Sequence, residues 1–205
     1  MMRLLLFIKH HLGFLWSIAE FGNGLLFRVL FGKKFEESVR SACAEFSGGE
    51  ITFRPVHDVD IAPLSAFFHS QPDESYRYFR PHAFDERTLR RLWKNPSFFQ
   101  MLAVTADERI AGYFMIRCFV NRQSFAGFLV GQDFRGRGIA KKMCRIIFKI
   151  CWPNRFRTFA TVSKKNGSAL AAYRSINDFK ILKELPDDYI YIEYTPEGLK
   201  QEGSL

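Results

Sequence analysis

A short segment that combines glycine and arginine lies between a strand-like and a helix-like stretch. Residues 135–138 read RGRG; they follow the apolar stretch 124–131 and precede a basic, amphipathic stretch at 139–150. The first amides of a helix lack intrahelical acceptors and carry partial positive charge, so they bind phosphate when the backbone can come close. Glycine removes the side chains that would keep an anion away. The spacing therefore predicts a pyrophosphate site at the start of this helix.

Two common phosphate-binding loops do not fit this segment. A Walker loop requires the pattern GxxxxGK[ST], which the sequence lacks. The dinucleotide fingerprint requires GxGxxG early in a βαβ unit, with an acidic residue about 20 positions later. Residues 135–140 instead read RGRGIA and follow a predicted hairpin.

A second polar segment begins the next predicted helix. Residues 166–177 read NGSALAAYRSIN, in which Asn166 stands at the helix start and Tyr173 lies further along the same helix. The small residues between them fit a ligand that runs alongside the helix. Tyr173 is expected either to contact that ligand or to pack as a core aromatic side chain.

Together the two segments resemble the signatures of the GNAT (general N-acetyltransferase) superfamily, [Q/R]-x-x-G-x-[G/A] and N-x-x-A-x-x-x-Y. The matching positions are Arg135, Gly138 and Ala140 in the first and Asn166, Ala169 and Tyr173 in the second. The resemblance covers about residues 51–195. One departure is Asn177-Asp178, where the family has glycine at the helix end. Because asparagine tolerates a left-handed helix end, we expect an altered turn and not a lost site.

The resemblance implies that acetyl-CoA is the cosubstrate, with no metal, and it assigns roles. The amides of residues 137–140 would hold the pyrophosphate, and the strand edge at Leu129 and Val130 would bind the pantetheine arm and polarise the thioester carbonyl. Asn166 would anchor the pantetheine. Tyr173 would protonate the leaving thiolate, which suits a phenol of pKa about 10 beside a thiol of about 8.5. The residues expected to bind the coenzyme are Leu129, Val130, Arg135, Gly136, Arg137, Gly138, Ile139, Ala140, Asn166 and Tyr173.

The acceptor is expected to be a small-molecule primary amine that attacks the thioester directly. A base or a chain of waters must then remove its proton. Base candidates lie in the polar segment 69–85 and are His69, Asp73, Glu74 and His82. His82 follows a proline and titrates near neutrality, so it is the first choice, and Glu74 is the second. Cys144 is expected to face its helix packing, so no covalent acyl-enzyme is predicted.

The same segment also has residues that could hold a ring and an anion: Tyr76, Tyr78, Phe79 and Arg80. These residue types favour an amino sugar or a nucleotide-linked amino sugar as the acceptor. A peptide or protein amine is the alternative acceptor. The alternative function is a non-catalytic acyl-CoA-binding module that associates with a membrane.

The elements that must position these residues follow from the apolar periodicity of the chain. Strands are predicted at 51–56, 98–106, 109–120, 124–131, 155–163, 179–185 and 189–195, and helices at 57–70, 84–95, 139–150 and 166–177. This order indicates a mixed α+β or α/β fold with a central, mostly antiparallel sheet flanked by helices. We expect an N-terminal helical extension at residues 1–49 and the acyltransferase domain at residues 50–205.

Composition narrows the possible partners and the compartment. The chain has 205 residues, 47% of them hydrophobic, and a net charge of +9, which favours anionic partners. Its basic residues form no run of five or more, so nucleic-acid binding is not expected. Four cysteines without CxxC or zinc spacing predict buried free thiols in a reducing compartment, and we expect a cytoplasmic location.

The N-terminal segment is apolar and basic, and several placements fit it. We expect one helix over about residues 3–20 and a second that starts after Asn23-Gly24. Residues 1–46 could pack on the domain or a second subunit, lie at the inner face of a membrane, or span a bilayer, although Glu20 and Arg28 weaken a span. The residues that would contact a membrane interface are Phe7, Phe14, Trp16 and Phe27.

Overall fold

The computed structural model of the protein describes the backbone of residues 13–200 and the side chains of residues 18–200. The strands are β1 (Ile51–Pro55), β2 (Phe98–Thr105), β3 (Ile110–Cys118), β4 (Gln123–Val130), β5 (Arg157–Ser163), β6 (Lys180–Leu185) and β7 (Tyr189–Tyr194). They form one sheet in the order β1-β2-β3-β4-β5-β7-β6. Neighbours are antiparallel except β4 and β5, which run parallel. The predicted mixed, mostly antiparallel sheet is confirmed.

Helices cover both faces of the sheet. They are α1 (Gly13–Phe27), α2 (Lys33–Phe46), α3 (Ile61–Ser70), α4 (Asp73–Tyr76), α5 (Glu86–Trp93), α6 (Ile139–Cys151) and α7 (Gly167–Arg174). The side chain of Asp85 accepts a hydrogen bond from Thr88 N at 2.9 Å and so caps the start of α5. Sequence periodicity did not predict α4, which is a single turn and too short for a periodic pattern.

The N-terminal helix does not break where glycine and asparagine predicted a break. A π-helical turn, Arg28–Gly32, joins α1 directly to α2. A Cβ at Gly24 would lie 3.0 Å from Asn95 Oδ1 and 3.3 Å from Pro96 Cδ, so this glycine permits a close approach to a loop. The predicted division at residue 49 stays a prediction. The part of the predicted helix 3–20 before residue 13, and the side chains of Phe7, Phe14 and Trp16, lie outside the described residues.

Residues of the central strands alternate between two apolar layers. Along β2, Met101 and Ala103 pack with α2 and α6, whereas Leu102 and Val104 pack with α3 and α5. This alternation follows from the two-residue period of a strand that is covered on both faces. The two layers hold the sheet between the helices on its two faces.

The parallel pair in the centre of the sheet separates along its length. β4 and β5 pair over three residue pairs that end at Phe125 and Phe159. Beyond these pairs, β4 continues to Val130 and β5 continues to Ser163, but the two strands no longer pair with each other. The two strands therefore open into a wedge, here called the cleft, between residues 126–130 and 160–163.

Candidate active site

The glycine–arginine turn leads from β4 into α6 at one side of the cleft. Gly136 and Gly138 have φ of +78° and +74°, in the left-handed region that favours glycine. A Cβ at either position would meet nothing within 4 Å. The backbone conformation therefore requires these two glycines, and the space beside them is open to a ligand.

The start of α6 presents unpaired amides at this turn. Gly138 caps the helix without a side-chain hydrogen bond. The first bond inside the helix joins Lys142 N to Gly138 O at 3.2 Å, so the amides of residues 139–141 have no acceptor within the helix. The side chain of Ile139 is 3% exposed and holds the helix start against the core. The turn has the conformation and free donors that a diphosphate needs.

The two arginines of the turn differ in their surroundings. Arg135 donates from Nη2 to Ser75 Oγ at 2.7 Å and so joins the turn to α4. Arg137 is more than half exposed, stacks its guanidinium 5.5 Å from the Phe134 ring centroid and lies 3.9 Å from a Glu50 carboxylate oxygen. Arg137 Nη2 also donates to Asp133 O at 3.3 Å, so all contacts of this exposed side chain except that with Glu50 lie within the turn region. Arg135, in contrast, joins two segments that are sixty positions apart.

The open edge of β4 presents Phe128 and Val130 to the cleft. Gly131 N donates to Ala111 O at 2.9 Å across the β3–β4 ladder. Because successive residues of a strand point to opposite edges, Leu129 also faces β3, and the amides of Phe128 and Val130 face the open edge. The predicted use of the Leu129 amide therefore does not fit the register, and Phe128 takes its place beside Val130.

Tyr173 reaches the cleft from α7. Its ring lies 5.5 Å from Phe128 and 5.4 Å from Tyr194, in both cases edge to face. The side chain is 8% exposed. Burial raises the pKa of its phenol, and a hydrogen bond with Tyr194 lowers the pKa only in part. The phenol therefore stays protonated at neutral pH and is a weaker acid than an exposed tyrosine.

Asn166 begins α7 as its cap. Its Oδ1 accepts from Ala169 N at 3.1 Å and from Ser168 Oγ at 3.1 Å. The side-chain carbonyl is thus used within the protein, and only the NH₂ group could serve a ligand. At the other end of this helix, Asn177 is buried and not left-handed, and its Nδ2 donates to Thr195 O at 2.7 Å. Asn177, which stands where the family has glycine, therefore anchors the chain that follows β7.

Residues 69–85, here called the acceptor-side segment, make two hydrogen bonds with the chain at the glycine–arginine turn. One is the bond from Arg135 to Ser75 described above. The other joins Gln132 N to Gln71 Oε1 at 3.0 Å. Gln71 lies just before α4, and Ser75 lies within it. Sequence reasoning missed both residues because their partners are about sixty positions away.

Aromatic residues of this segment cross the cleft. The Phe79 ring lies 3.2 Å from the position of a Cβ at Gly127 in β4. The Tyr78 hydroxyl lies 3.5 Å from Lys165 O, just before α7. Phe79 thus covers β4 and Tyr78 lies at the start of α7, and their use as a ring-binding surface stays a prediction. The Tyr76 hydroxyl is buried without a hydrogen-bond partner among the described residues.

His82 is engaged on both sides of its ring. Its Nδ1 lies 2.8 Å from Ala83 O, and its Nε2 lies 2.9 Å from the Tyr113 hydroxyl. The Tyr113 hydroxyl also lies 3.2 Å from Gln100 Oε1, and Gln100 Nε2 donates to Leu89 O at 3.1 Å. The single phenolic proton cannot serve both a neutral imidazole and the amide oxygen, so the proton positions of this chain are coupled.

The prediction that His82 removes the amine proton does not fit this arrangement. A base needs a lone pair within hydrogen-bond distance of the substrate, and both ring nitrogens of His82 face protein atoms. Burial lowers its pKa, which keeps the ring neutral at pH 7. The contact with Tyr113 links His82 to β3.

The other base candidates remain near the cleft entrance. Glu74 and Asp73 are exposed on α4, beside the Ser75 that contacts the turn. His69 Nδ1 lies 2.7 Å from Ser65 O within its own helix. Glu74 is thus the exposed carboxylate nearest in sequence to the contact with the turn, and its role as a base stays a prediction.

The described residues provide neither an exposed cysteine thiol nor a cluster of metal ligands. All four cysteines are free and buried, as predicted, and burial raises the pKa of Cys43 to about 12 and that of Cys151 to about 11. From residue 13 to residue 200, no group of three or more His, Cys, Asp or Glu side chains could hold a metal ion.

Comparison with protein families identifies one match. Residues 50–177 match the family model described as the Acetyltransferase (GNAT) domain. This range contains the turn, the open edge of β4 and α7. The chain has no significant match among curated proteins.

Solved structures share the fold at low sequence identity. The GNAT domain of S. lividans PAT has a TM-score of 0.62 and 17% identity, over 72% of this chain and 91% of that one. Spermidine N-acetyltransferase from Vibrio cholerae, solved with CoA and spermine, has a TM-score of 0.59 and 14% identity, over 74% and 98%. Ribosomal-protein-S5-alanine acetyltransferase from Vibrio fischeri has a TM-score of 0.58 and 14% identity, over 76% and 98%.

Proposed function

The chain belongs to the GNAT acetyltransferase family, whose members use acetyl-CoA, and on this premise we propose that it transfers the acetyl group to a primary amine by direct attack. One observation carries the proposal. Two left-handed glycines place the unpaired first amides of α6 beside the open edge of β4. A diphosphate and the arm attached to it would fit these two features together.

The turn would hold the diphosphate of the coenzyme. The amides of residues 137–140 would donate to it, and Arg137 would add charge from the exposed side. Arg135 would act by holding the turn to α4, since its guanidinium already contacts Ser75. Asn166 would contact the pantetheine through its NH₂ group.

The edge of β4 would bind the pantetheine arm and the thioester. The amides of Phe128 and Val130 face the cleft, and a polar chain with alternating donors and acceptors can pair with such an edge. One of these amides would donate to the thioester carbonyl oxygen as it gains negative charge during attack.

Tyr173 would supply the proton that the leaving group requires. The amine nitrogen forms a bond to the carbonyl carbon, the carbon–sulfur bond breaks, and the sulfur leaves as a thiolate. The buried phenol next to Phe128 donates its proton to that thiolate and is restored from solvent. The attacking nitrogen becomes positively charged in the tetrahedral intermediate, and its extra proton goes to Glu74 or to water, because His82 has both nitrogens occupied.

The acceptor proposed is an amine attached to a ring with an anionic group, such as a nucleotide-linked amino sugar. Tyr78 and Phe79 offer ring faces over β4, and the exposed Arg77 and Arg80 add positive charge. A polycation such as spermidine would be repelled by these arginines. A peptide or protein amine is the second candidate, because Glu74, next to the Ser75 that contacts the turn, is exposed to solvent.

Release of thiol from acetyl-CoA with a panel of amines tests the proposal. The panel contains a nucleotide-linked amino sugar, a free amino sugar, spermidine and a peptide with N-terminal alanine. We expect turnover with the first of these and weaker or no turnover with spermidine. Preference for the peptide would favour the second acceptor class.

A Tyr173→Phe variant separates chemistry from binding. We expect an unchanged Kd for acetyl-CoA and a kcat lower by about 10²-fold or more, the usual effect of losing a general acid. Tyr191→Phe is the matched control, because it removes a phenolic hydroxyl from β7, where Tyr191 stacks on Phe125 and Phe159, and leaves Tyr173 with its hydrogen bond to Tyr194. Binding of coenzyme A without turnover of any amine would instead favour a non-catalytic acyl-CoA-binding module associated with a membrane. Lack of binding would refute both functions.

A further inference from the structure

The N-terminal helix exposes an apolar surface to solvent. Six apolar side chains of α1 and the π-helical turn after it are between 50% and 76% exposed. We call them the apolar face: Ile18, Phe21, Leu25, Leu26, Val29 and Leu30. Large exposed apolar patches on a folded protein mark surfaces that contact a partner or a membrane.

The helix is held in this orientation by its polar residues, which point inward. Asn23 Nδ2 donates to Ser97 Oγ and Cys118 O, both at 3.0 Å, and its Oδ1 accepts from Val120 N at 3.1 Å. Phe27 is fully buried on the same side and packs on Phe35 and Phe99, so the prediction that it contacts a membrane interface is wrong. This pattern is the reverse of an ordinary surface helix, in which apolar residues face the core.

Rotating the helix to bury the apolar face would break these contacts. Glu20 would also lose its ion pair with Arg117 of β3. The outward direction of the apolar face is therefore built into the fold.

The charge around the apolar face selects among possible occupants. Residues 1–34 contain five lysines and arginines and one acidic residue, Glu20, which is paired with Arg117. The exposed Glu36 and Glu37 follow beyond Leu30, the last member of the apolar face. Arg28, Lys33 and Lys34 are exposed next to the apolar face. A second copy of the same surface would bring like charges together, whereas an anionic lipid surface would attract them.

We infer that the apolar face docks into the interface of an anionic lipid bilayer, with α1 lying parallel to the membrane surface. The apolar side chains would enter the boundary between headgroups and acyl chains, and the basic residues would contact the headgroups. From residue 13 onward, none of the described helices is long and apolar enough to cross a membrane. This docking does not depend on the proposed acetyl transfer.

Flotation of the full-length protein with vesicles tests the inference. Vesicles of phosphatidylcholine with about 30% phosphatidylglycerol are compared with phosphatidylcholine alone, because each basic residue near an anionic surface contributes about fivefold in affinity. We expect binding to the anionic vesicles, weaker binding at high salt and little binding to the neutral ones. Equal binding to both would overturn the choice of an anionic surface.

Matched variants locate the contact. Phe21→Ser with Val29→Ser removes the two most exposed members of the apolar face, at 74% and 76%, and should weaken vesicle binding about tenfold or more. Val59→Ser removes a side chain that is 82% exposed outside the apolar face and should leave binding unchanged. Circular dichroism of each variant confirms that the protein is folded.

Three results would overturn the inference. A dimer in solution that the double variant converts to a monomer, without vesicle binding, would assign the apolar face to a second copy of the chain. A monomer that does not bind vesicles would mean that the apolar face is covered by residues of its own chain. Loss of vesicle binding in the Val59 variant alone would place the contact elsewhere.

Discussion

A Gly138→Ala substitution tests whether the left-handed turn is what the proposed diphosphate site requires. The new Cβ would meet no atom within 4 Å, so steric overlap contributes nothing. The φ of +74° costs a residue with a side chain about 1–2 kcal/mol. For a chain of this size, that cost should lower the Tm by about 2–8 °C.

The same substitution should weaken acetyl-CoA binding more than it weakens the fold. Relaxation of φ at Gly138 tilts the peptide that precedes α6 and turns the first amides away from the diphosphate. Loss of one hydrogen bond to a charged group costs about 1.5–3 kcal/mol. Isothermal titration calorimetry should therefore show a Kd about ten- to a hundredfold higher.

Two further variants make the result specific. Gly167→Ala is the matched control, because Gly167 begins α7 in an ordinary conformation with nothing within 4 Å of its Cβ. It should leave both Tm and Kd unchanged. Gly138→Asn should lose less than Gly138→Ala, because asparagine tolerates the left-handed region. If Gly138→Ala lowers the Tm but binds acetyl-CoA as tightly as the unmodified protein, the assignment of the site to this turn is wrong.

Three further predictions follow from buried contacts. Gly112→Ala places a Cβ against Met143 and 3.0 Å from Leu129 O, so urea unfolding should show a loss of about 1–3 kcal/mol through overpacking; an unchanged midpoint would contradict this packing. Burial lowers the pKa of His82, so below about pH 6.5 the unfolded chain takes up a proton that the folded chain excludes. The free energy of unfolding should therefore fall between pH 7.5 and 5.5, and His82→Asn should reduce that slope. The four buried thiols should react with a thiol reagent only after denaturation, and one fast thiol in the folded protein would refute their burial.

Features encoded by a few neighbouring residues could be predicted from the sequence. The turn at residues 135–138 and the cap at Asn166 depend on hydrogen bonds and conformations within one or two turns of helix. Strand periodicity likewise predicted all seven strands, because side chains that alternate between two layers leave a regular apolar pattern.

Features that depend on distant partners could not be predicted. His82 meets Tyr113 across 31 positions, and Asn23 meets Ser97 across 74 positions. Read alone, Asn23-Gly24 indicates a turn, whereas the tertiary contacts of Asn23 hold it in a continuous helix. The direction of the Leu129 amide depends on the pairing register with β3, which no local pattern encodes.

The hydrogen bonds between the turn and α4 connect the two halves of the proposed site. Direct transfer needs the amine within about 3–3.5 Å of the thioester carbon, and a misplacement of about 1 Å can cost a hundredfold in rate. Gln71 and Ser75, on the acceptor side, are bonded to Gln132 and Arg135 of the segment that would hold the coenzyme. A shift of the acceptor-side segment would therefore strain its hydrogen bonds with the glycine–arginine turn. By this reasoning Arg135 contributes through position, and a lysine there would keep the charge but lose the geometry that its guanidinium provides.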